Sequence, residues 1–422
     1  MSTFFLLLSL LFGVLAYNLY RPNYKHLKIS TLSFLAGWLT GELALHHIVW
    51  QVTVVALFIW AGVVEGAGGA LGMVICIAAW FAMGYFYLRG NEAKNEIESA
   101  LSEGLGDNYQ GQIKDEFSAQ FPDTPNFAAI RKPFSKHRPN VEIIKDIPFG
   151  SYSQALDIYR PRDENKNMPV LFQIHGGAWT EKLGSKNEQA IPLMTHMANR
   201  GWISVASSYR LSPTATFPEQ IIDCKEAIVW IKAHIAEYGG NPDFIVVTGG
   251  SAGGHLSSLM ALSANDPDFQ PGFEGEDTSL QGAVPFYGVY DFTNKNGLQH
   301  HHGQRELFES SIMKKSFTGN EAEYEQVSPM FRLHKDAPPF LIIHGDKDTL
   351  VPVEEARVFA NDLREISSSP VSYAEISGGQ HAFDMFPSVR SEHVKHGVEQ
   401  FLAYLYSDYL RRSNSGNQKF KA

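Results

Sequence analysis

Residues 249–253, Gly-Gly-Ser-Ala-Gly, place a serine between small neighbours, directly after the apolar run FIVVT and before a helical pattern. The pattern G-x-S-x-G between a strand and a helix is typical of a nucleophile elbow, a strained turn that exposes the serine Oγ at the carboxyl edge of a sheet. Side chains at Gly249 and Gly253 would obstruct the close packing of helix on strand. Because an ordinary serine in a glycine-rich turn has the same local pattern, a nucleophilic Ser251 needs partners elsewhere in the chain.

A second glycine-rich loop, His175-Gly176-Gly177-Ala178-Trp179, follows the apolar run PVLFQI. A serine that attacks a carbonyl group creates an oxyanion, which needs preorganised N–H donors, and small residues let backbone N–H groups point at it. We therefore predict an oxyanion hole made by the backbone N–H groups of Gly177, Ala178 and Ala252. Trp179, next to this loop, is expected to line the substrate pocket.

A serine hydroxyl also needs a base, and that base needs an acid to hold it. The segment LIIHGDKDTLVP supplies Asp346 and Asp348 just after a predicted strand, and ISGGQHAF supplies His381 after the next one. The chain order serine, acid, histidine is the order expected for a nucleophile elbow. We predict Asp348 as the acid, because it lies deeper in its loop, and keep Asp346 as the alternative. His255 follows Ser251 too closely on the same helix to be the base, and is expected to pack or cap.

Two features of the sequence bear on metal binding, its cysteines and a run of three histidines. The chain has two cysteines, Cys76 in an apolar run and Cys224 in a helical pattern, so neither a cysteine-based zinc site nor a disulfide framework is expected. The run His300-His301-His302 could bind a metal, but no carboxylate or cysteine stands at ligand spacing, which favours a solvated loop. Neither feature therefore predicts a metal site.

From residue 146 onward, short apolar runs alternate with amphipathic helical patterns. The strand-like runs include PVLFQIH, WISVASSYR, FIVVTGG and PFLIIHGD. Buried strands that alternate with helices predict a mostly parallel sheet covered by helices on both faces, which is the α/β class. The candidate site residues all lie at strand ends. An insert from about Asn294 to Met330, with Phe308, Met313 and Phe317, is expected to form a lid or a wall of the pocket.

The first 90 residues have a different composition. Three runs without charged side chains are each long enough to cross roughly 30 Å of hydrocarbon as a helix: residues 1–20, 43–64 and 66–88. The uncharged run 29–41 is too short to span alone, so we predict about three transmembrane helices. Glu42 and Glu65 fall at the ends of apolar runs and are expected to form part of an interfacial polar collar.

Basic residues follow both the first and the last predicted span, at Arg21, Lys25, Lys28, Arg89 and Lys94. Basic clusters favour the cytoplasmic side of a membrane, and two clusters share a side only if an even number of crossings separates them. Two spans satisfy that condition. We therefore predict a multi-pass protein of the cell membrane whose downstream domain faces the cytoplasm.

Length and charge indicate the domain organisation and exclude one class of partner. The chain has 422 residues, of which 44% are hydrophobic and 19% charged, so it is not a disordered protein. We predict a transmembrane region at 1–90, a connector with an amphipathic helix at 91–145, an α/β domain at 146–412 and a polar tail at 413–422. Residues 1–90 have four basic and two acidic side chains, so the net charge of −10 becomes −12 on the remainder. A domain with this net negative charge repels phosphate backbones, so nucleic acid is not expected as a partner.

Five segments together resemble the α/β-hydrolase esterases of the hormone-sensitive-lipase and feruloyl-esterase-like (BD-FAE) group: HGGAW, SYRLSP, GGSAGGHL, PFYGVYDF and HGDKDTLVP. The likeness covers roughly residues 146–410, and it extends to membrane-anchored esterases of the mycobacterial kind and to isoprenylcysteine methylesterases. It implies hydrolysis of carboxylic esters through an acyl-enzyme, with no metal or cofactor and with Ser251, Asp348 and His381 as the triad. Ala178 replaces the third glycine of the family's HGGG loop, a tolerated change because the donor is a backbone N–H.

Three other functions stay open at this point. An amidase, such as an arylformamidase, would use the same triad, and HGDKDTLVP also resembles serine peptidases, although no propeller domain restricts access here. The third is a non-catalytic receptor with a hydrolase fold, but such receptors commonly lose one triad residue. The expected substrate is a small-molecule or lipid ester, and the expected partner of the N-terminal region is the lipid bilayer.

Overall fold

Helices make up the first part of the chain, and strands alternating with helices make up the rest. The computed structural model describes residues 2–119, 121–122, 124–135, 138–163 and 166–419, with side chains up to residue 414. The helices are α1 (Ser2–Tyr20), α2 (Leu27–Glu42), α3 (Ala44–Trp60), α4 (Gly66–Arg89), α5 (Glu92–Leu105), α6 (Asp115–Ser118), α7 (Phe127–Arg131), α8 (Ile191–Asn199), α9 (Glu219–His234), α10 (Ala252–Leu262), α11 (Gly303–Leu307), α12 (Glu321–Gln326), α13 (Val353–Ile366) and α14 (Val389–Lys419). The strands are β1 (Val141–Phe149), β2 (Gln154–Pro161), β3 (Met168–Ile174), β4 (Ile203–Ser207), β5 (Gly240–Gly250), β6 (Gly282–Phe286), β7 (Phe340–Gly345) and β8 (Val371–Ile376).

The described strands form one eight-stranded sheet in the order β1-β2-β4-β3-β5-β6-β7-β8. β2 runs antiparallel to both of its neighbours, and every pair from β4 to β8 is parallel. The central strands are buried along their whole length, as in MPVLFQI of β3. A strand covered on both faces must be apolar throughout, which is why these runs show no alternation. The predicted α/β-hydrolase architecture is confirmed.

Helices cover the sheet on both faces, and a separate apolar core fills each interface. One core contains Ile221 of α9, Leu256 of α10 and Phe359 of α13. The other contains Leu193 of α8 and Phe401 of α14. This arrangement leaves the carboxyl ends of the parallel strands uncovered by either helical layer, so the loops there are free to carry functional groups.

The amphipathic helix predicted in the connector is α5, and it belongs to the second of these layers. Its apolar stripe is buried in the core with α14: Ala93, Ile97, Ala100, Leu101 and Leu105. Contact with α14 is so close that a Cβ on Gly397 would lie 2.2 Å from Ile97 Cγ1. The connector therefore packs as part of the α/β layers, and it fixes the N-terminal helices against them.

The N-terminal region contains two helices that are long and apolar enough to cross a membrane, α1 and the helix that begins at Gly66. α2 and α3 together meet the same criterion only as one span bent by 89° at their junction. The predicted apolar N-terminal region is confirmed, whereas a count of three spans remains a prediction. Large exposed apolar side chains concentrate here, since the described chain beyond residue 90 has only these: Phe127, Phe134, Tyr152, Leu183 and Ile366.

Glu42 does not belong to a polar collar, so that prediction is wrong for this residue. Its side chain is 1% exposed and its Oε1 lies 2.7 Å from Nη1 of Arg390, itself 3% exposed, at the start of α14. Ser388 Oγ donates a second hydrogen bond to Glu42 Oε2 at 2.5 Å. Glu65 is exposed, as expected. Glu42 therefore joins the N-terminal helices to the α/β domain through a buried ion pair.

Candidate active site

The residues predicted from the sequence lie in four loops, which meet at the carboxyl edge of the parallel strands. Ser251 follows β5, Asp348 follows β7 and His381 follows β8. The loop from His175 onward follows β3, next to β5 in the sheet. Neighbouring parallel strands end at the same edge, so residues separated by up to 206 positions in sequence come together here.

Ser251 has backbone angles of φ 59° and ψ −119°, between the end of β5 and the start of α10. A non-glycine residue at positive φ is strained and persists only where its surroundings hold it. A Cβ on Gly249 would lie 2.5 Å from the Gly253 carbonyl oxygen, and a Cβ on Gly253 would lie 2.1 Å from that of Ile174. The two glycines of the motif therefore allow the close approach of helix and strand that creates the turn.

His381 is paired with Asp348. The distance from His381 Nδ1 to Asp348 Oδ2 is 2.6 Å, and both side chains are buried. Asp348 Oδ1 accepts hydrogen bonds at 2.8 Å from the N–H groups of Leu350 and Val351. Burial by itself would raise the pKa of Asp348, but His381 and a hydrogen bond from His344 outweigh it and lower the pKa well below its usual range. The carboxylate therefore stays ionised beside the imidazole.

Asp346, the alternative acid, has another partner. Its Oδ1 accepts a hydrogen bond from the N–H of Gly378 at 2.6 Å.

Gln380 also links the loops that follow β7 and β8. Its Oε1 accepts hydrogen bonds from the N–H of Thr349 at 2.8 Å and from that of His381 at 2.9 Å. Sequence reasoning missed Gln380, although its position directly before the histidine was a signal.

Tyr287 was also missed, and it contacts both sides of the site. Its φ is 36°, and its ring centroid lies 4.7 Å from that of His381. A Cβ on Gly250 would lie 2.7 Å from the same ring, so Tyr287 packs directly beside the serine turn. Its hydroxyl donates a hydrogen bond to Asp384. An aromatic residue directly after a strand, as in PFYG, was the available signal.

The Ser251 hydroxyl has no hydrogen bond to any residue that the structure describes. In enzymes without a bound substrate, the hydrogen bond between nucleophile and base is often longer than in the reacting complex. The structure therefore brings Ser251 and His381 to the same edge of the sheet, around one tyrosine ring, without a hydrogen bond between them.

The predicted oxyanion loop has unusual backbone angles, with φ 111° at Gly177 and φ 52° at Ala178. Within the described chain, the N–H groups of Gly177, Ala178 and Ala252 donate no hydrogen bond. A Cβ on Gly177 would lie 1.6 Å from the carbonyl oxygen of Leu183, so only glycine fits there. Free N–H groups beside a strained serine are available for an anion.

Trp179 lies in an aromatic cluster under the oxyanion loop. Its ring centroid is 5.2 Å from those of His255 and Phe292 and 6.0 Å from that of Phe308, and its side chain is buried. Burial lowers the pKa of His255 to about 3, so this imidazole is neutral and packs in the core. Phe308 and Met313 of the predicted lid belong to the same core. The segment that covers His381 is instead α2, whose Phe34 ring lies 6.0 Å from the imidazole.

The histidine run at residues 300–302 contacts α2 and the segment before it. The His300 ring centroid lies 5.0 Å from that of Tyr24, and His301 Nε2 lies 3.3 Å from Ser30 Oγ. Among the described residues, no group of three His, Cys, Asp or Glu side chains could hold a metal ion. The run therefore contributes contacts to the N-terminal region.

Comparison with known proteins gives three consistent likenesses. A family profile described as BD-FAE matches residues 156–363. Probable carboxylic ester hydrolase LipM of Mycobacterium tuberculosis (strain ATCC 25618 / H37Rv) is 42% identical over 409 residues, 94% of this chain and 92% of that protein. Esterase LipQ of the same organism is 44% identical over 274 residues, 64% of each chain. Because the LipM match covers 94% of this chain, it must extend well into the N-terminal helices.

Among solved structures, a truncated form of carbohydrate esterase from gut microbiota matches with a TM-score of 0.57 and 21% sequence identity. The match covers 65% of this chain and 99% of that one. At this identity the likeness shows the fold alone.

Proposed function

Since this chain belongs to the BD-FAE family of carboxylic ester hydrolases, we propose that it is a membrane-anchored serine esterase or lipase with the triad Ser251, His381 and Asp348. The observation that carries the proposal is the 2.6 Å contact between His381 Nδ1 and Asp348 Oδ2, at the sheet edge where Ser251 holds a strained backbone. Such a pair orients an imidazole so that its other nitrogen can act as a base.

Before the proposed first step, the Nδ1–H of His381 donates a hydrogen bond to the Asp348 carboxylate, so that Nε2 carries no proton and can accept one. Nε2 takes the proton of the Ser251 hydroxyl while Oγ attacks the ester carbonyl carbon. The imidazolium then returns this proton to the leaving alcohol, which leaves an acyl group on Ser251. A water molecule, deprotonated in the same way, releases the carboxylic acid and restores the serine.

The proposed oxyanion hole consists of the backbone N–H groups of Gly177, Ala178 and Ala252. These groups have no acceptor within the described chain, so they are free to bind the oxygen that becomes negative. A donor placed in this way is worth about 3 kcal/mol in the transition state. Trp179 is buried under this loop, and we propose that it supports the wall of the substrate pocket.

We also propose that the apolar helices of residues 1–90 attach the enzyme to the cell membrane as a multi-pass region. Exposed leucines and aromatic residues along α1 and α4 support this, because such surfaces are stable in contact with hydrocarbon. The basic residues after α1 and α4 favour a cytoplasmic catalytic domain. A reporter enzyme fused to the C-terminus tests the orientation, which is refuted if the reporter is active only outside the cytoplasm.

The central test compares the wild type with Ser251→Ala on p-nitrophenyl esters of two to sixteen carbons. We expect hydrolysis by the wild type, a loss of about 10⁶-fold in kcat in the variant, and labelling of Ser251 alone by a fluorophosphonate. Folded wild-type protein that is neither labelled nor active on any ester would refute the serine mechanism. Formamide and peptide substrates in the same assay show whether esters are preferred.

A further inference from the structure

Helix α2 has its large apolar side chains outside and its small and polar side chains inside. The exposed large apolar residues are Leu27, Ile29, Leu32, Leu35 and Leu39. The buried residues are small or polar: Ser30, Ser33, Gly37, Thr40, Gly41 and Glu42. A helix on the surface of a water-soluble protein has the opposite pattern, whereas small residues in membrane proteins let neighbouring backbones approach closely. The inner face of α2 is thus suited to close contact with protein.

This inner face lies over the β7–α13 and β8–α14 loops, which carry the proposed acid and base. The carbonyl oxygen of Ser30 accepts a hydrogen bond from Thr349 Oγ1 at 3.0 Å. A Cβ on Gly37 would lie 3.4 Å from Gln380 Nε2. Both contacts reach residues directly adjacent in sequence to the proposed acid or base. The membrane region therefore contacts the catalytic loops themselves.

Trp38 contacts the loop that carries the proposed base. Its indole Nε1–H donates a hydrogen bond to the carbonyl oxygen of Ala382 at 2.8 Å. Its ring stacks on Phe386 at 4.9 Å and on Phe34 at 5.5 Å. Phe34 in turn presents its ring edge-on to His381 at 6.0 Å. Trp38 and Phe34 therefore hold the histidine loop by one hydrogen bond and two aromatic contacts.

The residue that accepts the hydrogen bond is itself strained. Ala382 has φ 58° and ψ 28°, in the left-handed region that residues with a Cβ avoid. Such a conformation persists only when surrounding contacts determine it. Among the described residues of the N-terminal region, Trp38 is the one whose hydrogen bond reaches the backbone of Ala382, one residue after His381.

We propose that the inner face of α2 is part of the active site and that Trp38 is a positioning residue, which holds the loop of His381 at the distance from Asp348 that the reaction needs. This inference rests on the proposed function, in which His381 is the base. The membrane region then has a second role besides attachment, because catalysis depends on the position of α2 relative to the loops of Asp348 and His381. The residues involved are separated by 344 positions in sequence.

The test uses the full-length protein in detergent and compares Trp38→Phe with Leu35→Ala. Trp38→Phe keeps an aromatic ring but removes the N–H donor, so His381 loses one constraint; we expect kcat to fall about tenfold with KM unchanged. Leu35 lies on the exposed face of the same helix, and its variant is expected to keep the wild-type kcat. Both are assayed on one short p-nitrophenyl ester.

The rate of fluorophosphonate labelling separates positioning from a folding defect. A misplaced base slows the labelling of Ser251 in parallel with kcat while every molecule is labelled in the end, whereas partial unfolding lowers the labelled fraction. Thr349→Val removes the hydrogen bond at the other end of α2 and is expected to slow labelling in the same way. The proposal is wrong if both variants label at the wild-type rate, or if only their labelled fraction falls. Wild-type protein without labelling would instead refute the proposed function.

Discussion

Asp346 and Asp348 stand two residues apart in one loop, yet only Asp348 contacts His381. Asp348→Asn preserves the shape of the side chain but removes its charge and favours the wrong tautomer of the imidazole. We therefore expect kcat to fall about 10⁴-fold, as measured by initial rates of ester hydrolysis.

Asp346→Asn is the matched control, because it makes the same chemical change in the same loop. Its hydrogen bond from Gly378 supports the backbone of the histidine loop, so we expect a small loss of activity at most. Equal losses of activity in the two variants would show that the carboxylate of Asp348 is not specifically required to orient His381.

At the scale of a helix, α13 begins with a buried carboxyl group that orders a neighbouring loop. Glu355 Oε1 accepts a hydrogen bond from the N–H of Tyr290 at 2.7 Å and a second one from the N–H of Asp291. Burial, followed by the charge of Asp291, raises the pKa of Glu355 to about 8. The folded protein therefore holds this proton at neutral pH, where the unfolded chain has released it.

The raised pKa has a consequence for stability. Between pH 4.5, the ordinary pKa of glutamate, and about pH 8, the folded state binds more protons than the unfolded state at this site, so rising pH destabilises the fold. The variant Glu355→Gln does not ionise. In a fluorescence melt, we expect the melting temperature of Glu355→Gln minus that of the wild type to be larger at pH 8.5 than at pH 5.5.

Glu354→Gln provides the comparison on the same turn of α13. Glu354 is half exposed and lies 3.5 Å from Arg357. We expect its melting temperature to follow the pH dependence of the wild type. If Glu355→Gln also followed the wild type, protonation of Glu355 would not contribute to the pH dependence of folding.

At the scale of the whole molecule, the ion pair between Glu42 and Arg390 connects the N-terminal helices to the α/β domain. Both side chains are almost fully buried, and the pair is supported by Ser388. Glu42→Gln leaves the Arg390 charge without a counter-charge in a buried site, which costs about 3 kcal/mol. We expect a clearly lower melting temperature in detergent, followed by tryptophan fluorescence.

Glu65→Gln is the control for this prediction, since it removes the other carboxylate of the N-terminal region from an exposed position. We expect it to melt with the wild type. A Glu42→Gln protein as stable as the wild type would mean that this ion pair does not stabilise the contact between the two regions.

Much of the fold and part of the site could be predicted because they depend on local patterns. Apolar runs that alternate with amphipathic helices specify buried parallel strands, and the helical stripe of α5 was visible in its spacing. Gly249, Gly253 and Gly177 mark places where a backbone approaches another too closely for a Cβ, and this constraint leaves a trace in the sequence. Gln380 and Tyr287 left only a weak signal in the sequence, because many residue types can follow or precede a strand end.

The sequence by itself determined the class of fold, the serine turn and the glycine loop, since each follows from conformations that only a few residue types can adopt. Only the tertiary structure decided what those elements meet. The sequence shows an uncharged run at residues 29–41, but not that Trp38 contacts Ala382 or that Glu42 contacts Arg390. Those contacts depend on the path of the chain through the N-terminal helices, which brings residues more than 340 positions apart to one edge of the sheet.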